Sequence, residues 1–123
     1  MTSNTKPAPA TYTIDATDRT LGRVASEAAN ILLGKRSVHF AKNRAMPVTV
    51  IIENASKLHL PLRRTEGKVY TRYTGYPGGL REISMKEMIA KKGIEEVIKK
   101  TVDGMIPRNK LRAPRMKNLV VKA

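Results

Sequence analysis

Two carboxylates are the residues of this chain that could most readily do chemistry. Asp15 follows the β-prone segment Tyr12 to Ile14, and Glu53 follows the apolar segment Val48 to Ile52. Both segments are predicted strands, and α/β sheets place their sites at the carboxyl ends of strands. A carboxylate pair there could hold Mg²⁺ for phosphodiester cleavage. The alternative is that Asp15 is a turn residue and that Glu53, with no third acid or catalytic Lys at a motif spacing, has no catalytic role.

Other signatures of catalysis and metal binding are missing from the sequence. There is no Cys, and His39 and His59 each lack a matching His or Cys nearby, so no metal site is expected. No Walker segment, dinucleotide fingerprint or Ser-centred nucleophile elbow occurs. We therefore expect no enzyme activity, no cofactor and no small-molecule substrate. A metal-dependent nuclease using Asp15 and Glu53 is kept as the alternative function.

The charge balance indicates a polyanionic partner. The 24 Lys and Arg residues outnumber the 10 Asp and Glu residues, which leaves a formal net charge of +14, far more than solubility requires of a small domain. A membrane surface is also anionic, but no segment approaches the roughly 18 consecutive apolar residues of a spanning helix. Because Cys and an apolar signal segment are both absent, a cytoplasmic nucleic-acid-binding protein is expected.

Two basic segments contain no acid. The connection from Gly34 to Met46 can follow a phosphate backbone. The segment from Gly104 to Ala123 is interrupted by Pro107 and Pro114, so Arg108 to Lys117 are expected to order fully only against RNA. The alternative is a tail that only keeps the chain soluble. Candidate contacts in these segments are Lys35, Arg36, Lys42, Arg44, Arg108, Lys110, Arg112, Arg115 and Lys117.

A third segment, Lys68 to Arg81, combines basic residues with three of the four Tyr and with three Gly. A Tyr ring can stack on an unpaired base, Arg can reach phosphates, and Gly permits close backbone approach. A Tyr in a strand is more often packed, and this alternative stays open for Tyr70. The candidate contacts are Lys68, Arg72, Tyr73, Thr74, Gly75, Tyr76, Gly78, Gly79 and Arg81.

Gly22 and Arg23 lie in the first turn of the first predicted helix. Free amides and the helix dipole attract anions at this position. Gly22 could instead allow close packing of the helix on the sheet. Both interpretations stay open.

The hydrophobic pattern predicts the elements that must position these residues. A strand at Tyr12 to Asp15 is followed by a helix over Leu21 to Leu33, where apolar residues recur on one helical face. Thr20 can cap this helix, and Gly34 can end it. Val48 to Ile52 is almost continuously apolar and β-branched, as expected of a central strand.

Shorter elements are predicted after the central strand. Lys57 to Leu60 and Lys68 to Tyr73 look like strands of a hairpin, separated by a polar turn at Arg64 to Gly67. Ser84 to Glu87 has the spacing of a capping box, so a short helix should begin there and end near Gly93.

A last helix and strand complete the prediction. Ile94, Val97, Ile98 and Val102 form the apolar side of the helix, which Gly104 and Pro107 end. Glu95 with Lys99 and Glu96 with Lys100 are expected to pair on its exposed side, so both Lys residues should lie away from the binding surface. Leu119 to Val121 is the closing strand.

This order of elements predicts one α/β domain over residues 12–123, preceded by a flexible arm over residues 1–11. We expect a three-layer α/β/α arrangement with a mostly parallel, mixed sheet of about four strands.

Three ordered motifs along the chain resemble a known family. The first is Ile14-Asp15-Ala16 with Thr20 to Ser26 and Leu33-Gly34-Lys35. The second is Lys68-Val69-Tyr70 with Thr74 to Leu80, and the third is Gly104 to Leu111. Together they cover about Tyr12 to Val121 and resemble the L-thirteen family of large-subunit ribosomal proteins.

The resemblance implies a mixed α/β/α domain that binds large-subunit rRNA early in subunit assembly and has no catalytic activity. Its partners in translation would be large-subunit rRNA and neighbouring ribosomal proteins on the cytoplasmic ribosome. The rRNA contacts that the resemblance implies are Gly22, Arg23, Lys35, Lys68, Thr74, Gly75, Gly78, Gly79, Arg108 and Lys110.

Overall fold

The computed structural model describes residues 9–36 and 47–122. Its strands are β1 (Ala10–Asp15), β2 (Val48–Glu53), β3 (Val69–Tyr73), β4 (Leu80–Ser84) and β5 (Leu119–Val121). Its helices are α1 (Leu21–Leu32), α2 (Leu62–Gly67), α3 (Met85–Lys92), α4 (Ile94–Met105) and α5 (Arg112–Met116), and a 3-10 turn occupies Ala55–Lys57. Residues 1–8 of the predicted arm lie outside the described residues. The strand β1 begins at Ala10, two residues before the predicted strand.

A three-stranded parallel sheet in the order β1-β2-β5 forms the centre of the molecule. β2 pairs with β1 from Val48 to Glu53 and with β5 from Val50 to Ile52, which confirms the predicted central strand. Val50 and Ile52 are fully buried, because they lie under the helices in the middle of the sheet.

The two long helices cover one face of this sheet. α1 and α4 pack against each other, α1 also contacts β1 and β2, and α4 contacts β5. Ile14, Ile52 and Val121 are buried on the covered face, whereas Thr13 and Val120 are exposed on the other. The α/β class and the mostly parallel sheet are confirmed. Within the described part of the chain, however, the sheet carries one helical layer, and the second expected layer is not among these elements.

The antiparallel strands form a separate sheet, so the prediction of one mixed sheet was wrong in this detail. β3 pairs with β4, from Val69 with Ser84 to Tyr73 with Leu80. The predicted hairpin between Lys57 to Leu60 and Lys68 to Tyr73 is not formed. Lys57 is the last residue of the 3-10 turn, and His59 forms a single bridge to Thr20. The predicted polar turn is the helix α2, which starts after Pro61. Pro61 is tolerated at the N-cap of α2, because the N–H that it lacks has no partner in the helix. The helix has no apolar periodicity, so the sequence pattern did not predict it.

The ends of α1 and α3 follow the sequence signals in part, whereas α4 runs through Gly104, which was predicted to end it, and stops at Met105. Ser84 accepts a hydrogen bond from the Glu87 N–H at 3.3 Å and so caps α3. Gly34, at φ +85°, follows α1 in the left-handed conformation. Thr20 precedes α1 but its side chain makes no cap hydrogen bond. The segment Arg108 to Lys117, expected to order fully only against RNA, contains the short helix α5. Pro114 is tolerated in the first turn of α5, because the N–H that it lacks would have no helical partner.

Candidate nucleic-acid interface

An open groove of about 1390 Å³ runs beside α1 from Leu21 to Asn30. The segment from His59 to Arg64, which leads into α2, lines it as well. The start of the hairpin and the end of α4 complete the lining with Lys68, Tyr70 and Lys100 to Met105. We call this feature the α1 groove. It is built from segments that lie far apart in the sequence.

Six basic side chains and one acidic side chain line the α1 groove. The basic residues are Arg19, Arg23, Arg63, Arg64, Lys68 and Lys100, and the acid is Glu27. The Glu27 carboxylate is already paired, at 2.7 Å with Arg19 and at 3.3 Å with Arg36. The groove therefore has an excess of positive charge, which attracts polyanions.

The amino end of α1 also faces this groove. Leu21, Gly22 and Arg23 line the groove in the first turn, and that turn contains no acid. Its unpaired N–H groups and the helix dipole add to the positive potential. A Cβ atom at Gly22 would meet nothing within 4 Å, so close packing on the sheet does not explain this Gly. Of the two interpretations left open by the sequence, the structure supports access from the groove.

Two ammonium groups lie close to the ring of Tyr70. Lys68 Nζ is 5.5 Å and Lys100 Nζ is 5.1 Å from the ring centre, within the range of cation–π attraction. Tyr70 is half-buried and packs against the core, and burial raises the pKa of its hydroxyl above the usual 10.0. The packed interpretation of Tyr70 is confirmed, and its ring also orients two groove cations.

A smaller pocket of about 320 Å³ lies between the β3–β4 hairpin, α3 and α4. Arg72 and Arg81 are direct cross-strand partners and both line this pocket. Lys92 of α3 and Lys100 of α4 also line it. We call it the hairpin pocket. Tyr70 and Lys100 line both the pocket and the α1 groove, so the two basic surfaces meet at these residues.

The loop between β3 and β4 is a tight turn with exposed rings. The Gly79 N–H donates to the Tyr76 carbonyl at 2.9 Å, and Gly78 has φ +74°, which with Pro77 before it gives a type II turn. Tyr73 and Tyr76 are 65% and 76% exposed, so their rings are free for stacking. Thr74 and Gly75 are also exposed, whereas Gly79 is buried beneath the turn.

The remaining predicted contacts are more scattered. Lys35 and Arg36 follow α1 outside the groove, and the Arg36 guanidinium lies 5.7 Å from the Tyr12 ring centre. Lys42 and Arg44 fall outside the described residues.

The basic residues after α4 also differ in accessibility. Arg108, Lys110 and Lys117 are exposed, and Arg112 pairs with Asp103 at 3.3 Å. Arg115 is only 2% exposed, so it does not share a surface with the others.

Asp15 and Glu53 are register partners at the carboxyl ends of β1 and β2, as the sequence predicts. Asp15 Oδ1 accepts hydrogen bonds from the Thr17 hydroxyl at 2.7 Å, the Thr17 N–H at 3.0 Å and the Asn54 side-chain amide at 3.1 Å. These bonds, led by that of the Thr17 hydroxyl, lower the pKa of Asp15 from 3.8 to about 2. The geometry supports the turn interpretation, and residues 9–36 and 47–122 contain no group of three acidic or His side chains that could hold a metal ion.

Of the six basic residues that line the groove, the sequence predicted only Arg23 and Lys68 as contacts. Arg64 was predicted to lie in a polar turn and Lys100 on a helix face away from the binding surface, and Arg19, His59 and Arg63 were not predicted as contacts. The doublet Arg63-Arg64 just after a helix-starting Pro was the available signal.

No helix of the described segments is long and apolar enough to cross a membrane.

Comparison with known proteins identifies the family. A sequence model of the family described as Ribosomal protein L13 matches residues 10–122. The protein named Large ribosomal subunit protein uL13 of Chlamydia caviae is 44% identical over 108 residues, which are 88% of this chain and 71% of the relative. Proteins of the same name from Geobacter sp. strain M21 (42% over 110 residues, 89% and 77%) and Rubrobacter xylanophilus (39% over 112 residues, 91% and 78%) are also similar. The chain therefore belongs to the ribosomal protein L13 family.

Proposed function

We propose that this chain is a structural constituent of the large ribosomal subunit and binds large-subunit rRNA through the α1 groove and the β3–β4 hairpin. The similar proteins from Chlamydia caviae and Geobacter sp. strain M21 carry the name of a large-subunit protein, which supports this place in the ribosome. Its partners would be rRNA and neighbouring ribosomal proteins in the cytoplasm. Membership of a ribosomal protein family also agrees with the expectation that the chain is not an enzyme.

The observation that carries the proposal is the composition of the α1 groove. Six cations line it, and its single acid already forms ion pairs with Arg19 and Arg36. Arg23, Arg63 and Arg64 are exposed, so their guanidinium groups can bind phosphate oxygens in pairs of hydrogen bonds. A groove of this kind suits a sugar–phosphate backbone whose bases are unstacked.

The exposed hairpin loop extends this surface. Tyr73 and Tyr76 offer two rings for stacking, and the type II turn at Gly78 holds the backbone in a fixed shape. Such a loop can recognise the shape of a folded RNA, because only an RNA whose bases fit against the fixed backbone of the turn can approach it closely.

The family resemblance implies a role early in subunit assembly, and the net charge of the chain supports this part of the proposal. The formal charge of +14 on 123 residues repels itself in the free protein and is neutralised by RNA. Long-range attraction of this size speeds association with RNA that is not yet covered by other proteins. The chain would thus bind exposed rRNA and stabilise its fold for later components.

The test is competition between tagged variants for incorporation into large subunits in the native cell. The groove variant carries Arg23→Gln, Arg63→Gln and Arg64→Gln. A control variant with Lys86→Gln, Lys91→Gln and Lys99→Gln removes the same charge from helix positions outside the groove. We expect the groove variant to be depleted from subunits at least about ten-fold, since each lost charged contact costs about 1 kcal/mol or more. Equal incorporation of both variants would refute the proposal, provided thermal melts show both to be folded.

The nuclease alternative has no comparable support. Asp15 is engaged by Thr17 and Asn54, and no third ligand accompanies it and Glu53 in the described residues. Incubation of the purified chain with RNA and Mg²⁺ should therefore leave the RNA intact.

A further inference from the structure

We propose that the hairpin pocket binds a backbone phosphate of the same RNA strand that occupies the α1 groove, with Arg72, Arg81, Lys92 and Lys100 as its ligands. This inference rests on the proposed function, because the phosphate belongs to the RNA. It adds a second site on the other side of Tyr70.

The register of the hairpin places two like charges together. Arg72 and Arg81 are directly opposite in the antiparallel pair, on the face that also carries Tyr70 and Ile83. Like charges at directly opposite positions destabilise a two-stranded sheet. An anion between two guanidinium groups would remove this repulsion and accept hydrogen bonds from both. The pairing of Arg72 with Arg81 is therefore more favourable with a phosphate bound than in the free hairpin.

Neighbouring helices increase the positive charge. Lys92 at the end of α3 and Lys100 on α4 line the same pocket. The ion pairs among the described residues include none of these four cations. Glu82 and its cross-strand partner Thr71 also line the pocket, so four cations and one acid leave it a net charge of +3.

The pocket is of the right size for a small anion. Its volume of about 320 Å³ leaves room for a hydrated phosphate group. A double helix cannot enter such a pocket, whereas one phosphodiester of a single strand can. The four cations alone would also attract a carboxylate of equal charge. A phosphate is favoured because the RNA strand in the α1 groove continues into the pocket.

That strand can reach the pocket from the α1 groove. Tyr70 and Lys100 line both cavities, and Lys100 Nζ lies 5.1 Å from the Tyr70 ring centre. A backbone leaving the groove beside Lys68 would pass this ring, which has both Lys68 and Lys100 close to it. Lys100 would thus be shared by successive phosphates.

The experiment compares stability and RNA affinity in single variants of the whole chain. In low salt without RNA, Arg72→Gln should raise the melting temperature by roughly 1 to 4 °C, because the cross-strand repulsion is gone. The same variant should bind large-subunit rRNA about ten-fold more weakly. Arg63→Gln in the α1 groove is the comparison: it should weaken RNA binding without a gain in melting temperature. Lys91→Gln, on α3 outside both cavities, should change neither.

A rise in melting temperature together with weaker binding supports the pocket. If Arg72→Gln melts no higher than the parent, or binds RNA as tightly as the parent, the proposal fails. Loss of binding in Arg63→Gln with full binding in Arg72→Gln would reject the pocket and leave rRNA binding through the α1 groove standing. Full binding in both variants would reject the pocket, and full binding in the triple groove variant as well would reject the proposed function.

Discussion

The ammonium of Lys100 lies 5.1 Å from the centre of the Tyr70 ring, and this contact joins α4 to β3 where the α1 groove and the hairpin pocket meet. The helical spacing predicted a pair with Glu96 instead, on a face away from the binding surface. The ion pairs among the described residues do not include it. A partly desolvated ring attracts a cation about as strongly as an exposed pair at i and i+4, so packing of the hairpin decides between them.

Lys100 should therefore contribute to RNA binding, in contrast to the sequence expectation. We expect Lys100→Gln to weaken binding of large-subunit rRNA by about five-fold, since one phosphate contact is lost. Lys99→Gln, one position along the same helix and outside both cavities, should stay within about two-fold of the parent. Filter binding at fixed salt measures both. A larger loss in Lys99→Gln would show that the other side of α4 faces the RNA.

Gly22 provides a test of close approach. Gly22→Ala should keep or raise the free energy of unfolding, by up to about 1 kcal/mol, because Ala favours the helix and its methyl meets nothing within 4 Å. RNA binding should nevertheless fall, since the methyl projects toward the groove that Gly22 lines. Chemical denaturation and RNA titration separate the two effects. Unchanged affinity would mean that the RNA does not approach the backbone at this turn.

The hairpin turn should be intolerant of added bulk. A Cβ at Gly79 would overlap the Thr74 hydroxyl and lie 2.8 Å from the Tyr76 carbonyl oxygen, and Gly78 has φ +74°. Gly79→Ala and Gly78→Val should each cost about 1 to 3 kcal/mol in strain of the turn. Gly67→Ala is the matched control, because its Cβ would meet nothing. Thermal melts would contradict this account if Gly67→Ala proved as damaging as Gly79→Ala.

The Asp15 carboxyl should titrate at unusually low pH. Its pKa is lowered from 3.8 to about 2 by hydrogen bonds that only the ionised form accepts fully. The folded state is thus favoured by this group above about pH 4, and that contribution disappears as the pH falls through about 2. Thr17→Val removes the first cause and should move the pKa back toward 3.8. NMR titration of the side-chain carbonyl carbon measures both values, and a parent pKa near 3.8 would show that the turn is not formed.

Much of the fold could be predicted because its signals are local. The apolar face of α1, the β-branched run of β2 and the Ser84 cap of α3 each lie within one segment of the sequence. The partner of β3 could not be predicted in this way, since several short β-prone segments compete and loop closure decides among them. The β4 strand, with two charged residues in five positions, carries no alternating pattern of its own.

The candidate site was predicted only in part for a related reason. Arg23, Lys68 and the hairpin loop could be predicted as contacts, because they lie in segments rich in basic residues and glycine. Arg63, Arg64 and Lys100 come to the groove through tertiary packing of α2 and α4, which no local spacing encodes. Arg115 is the opposite case: it lies in a basic segment and was predicted as a contact, but it is buried on α5.

The salt dependence of rRNA binding tests the central claim most directly. Log affinity of the parent chain should fall with log salt concentration with a slope of about −4 to −6, as expected for about six to eight phosphate contacts to single-stranded RNA. The variant with Arg23→Gln, Arg63→Gln and Arg64→Gln should give a slope shallower by roughly 2, whereas Lys86→Gln, Lys91→Gln and Lys99→Gln together should leave it unchanged. An equal slope for the parent and the groove variant would contradict the account, because the α1 groove would then hold no phosphate.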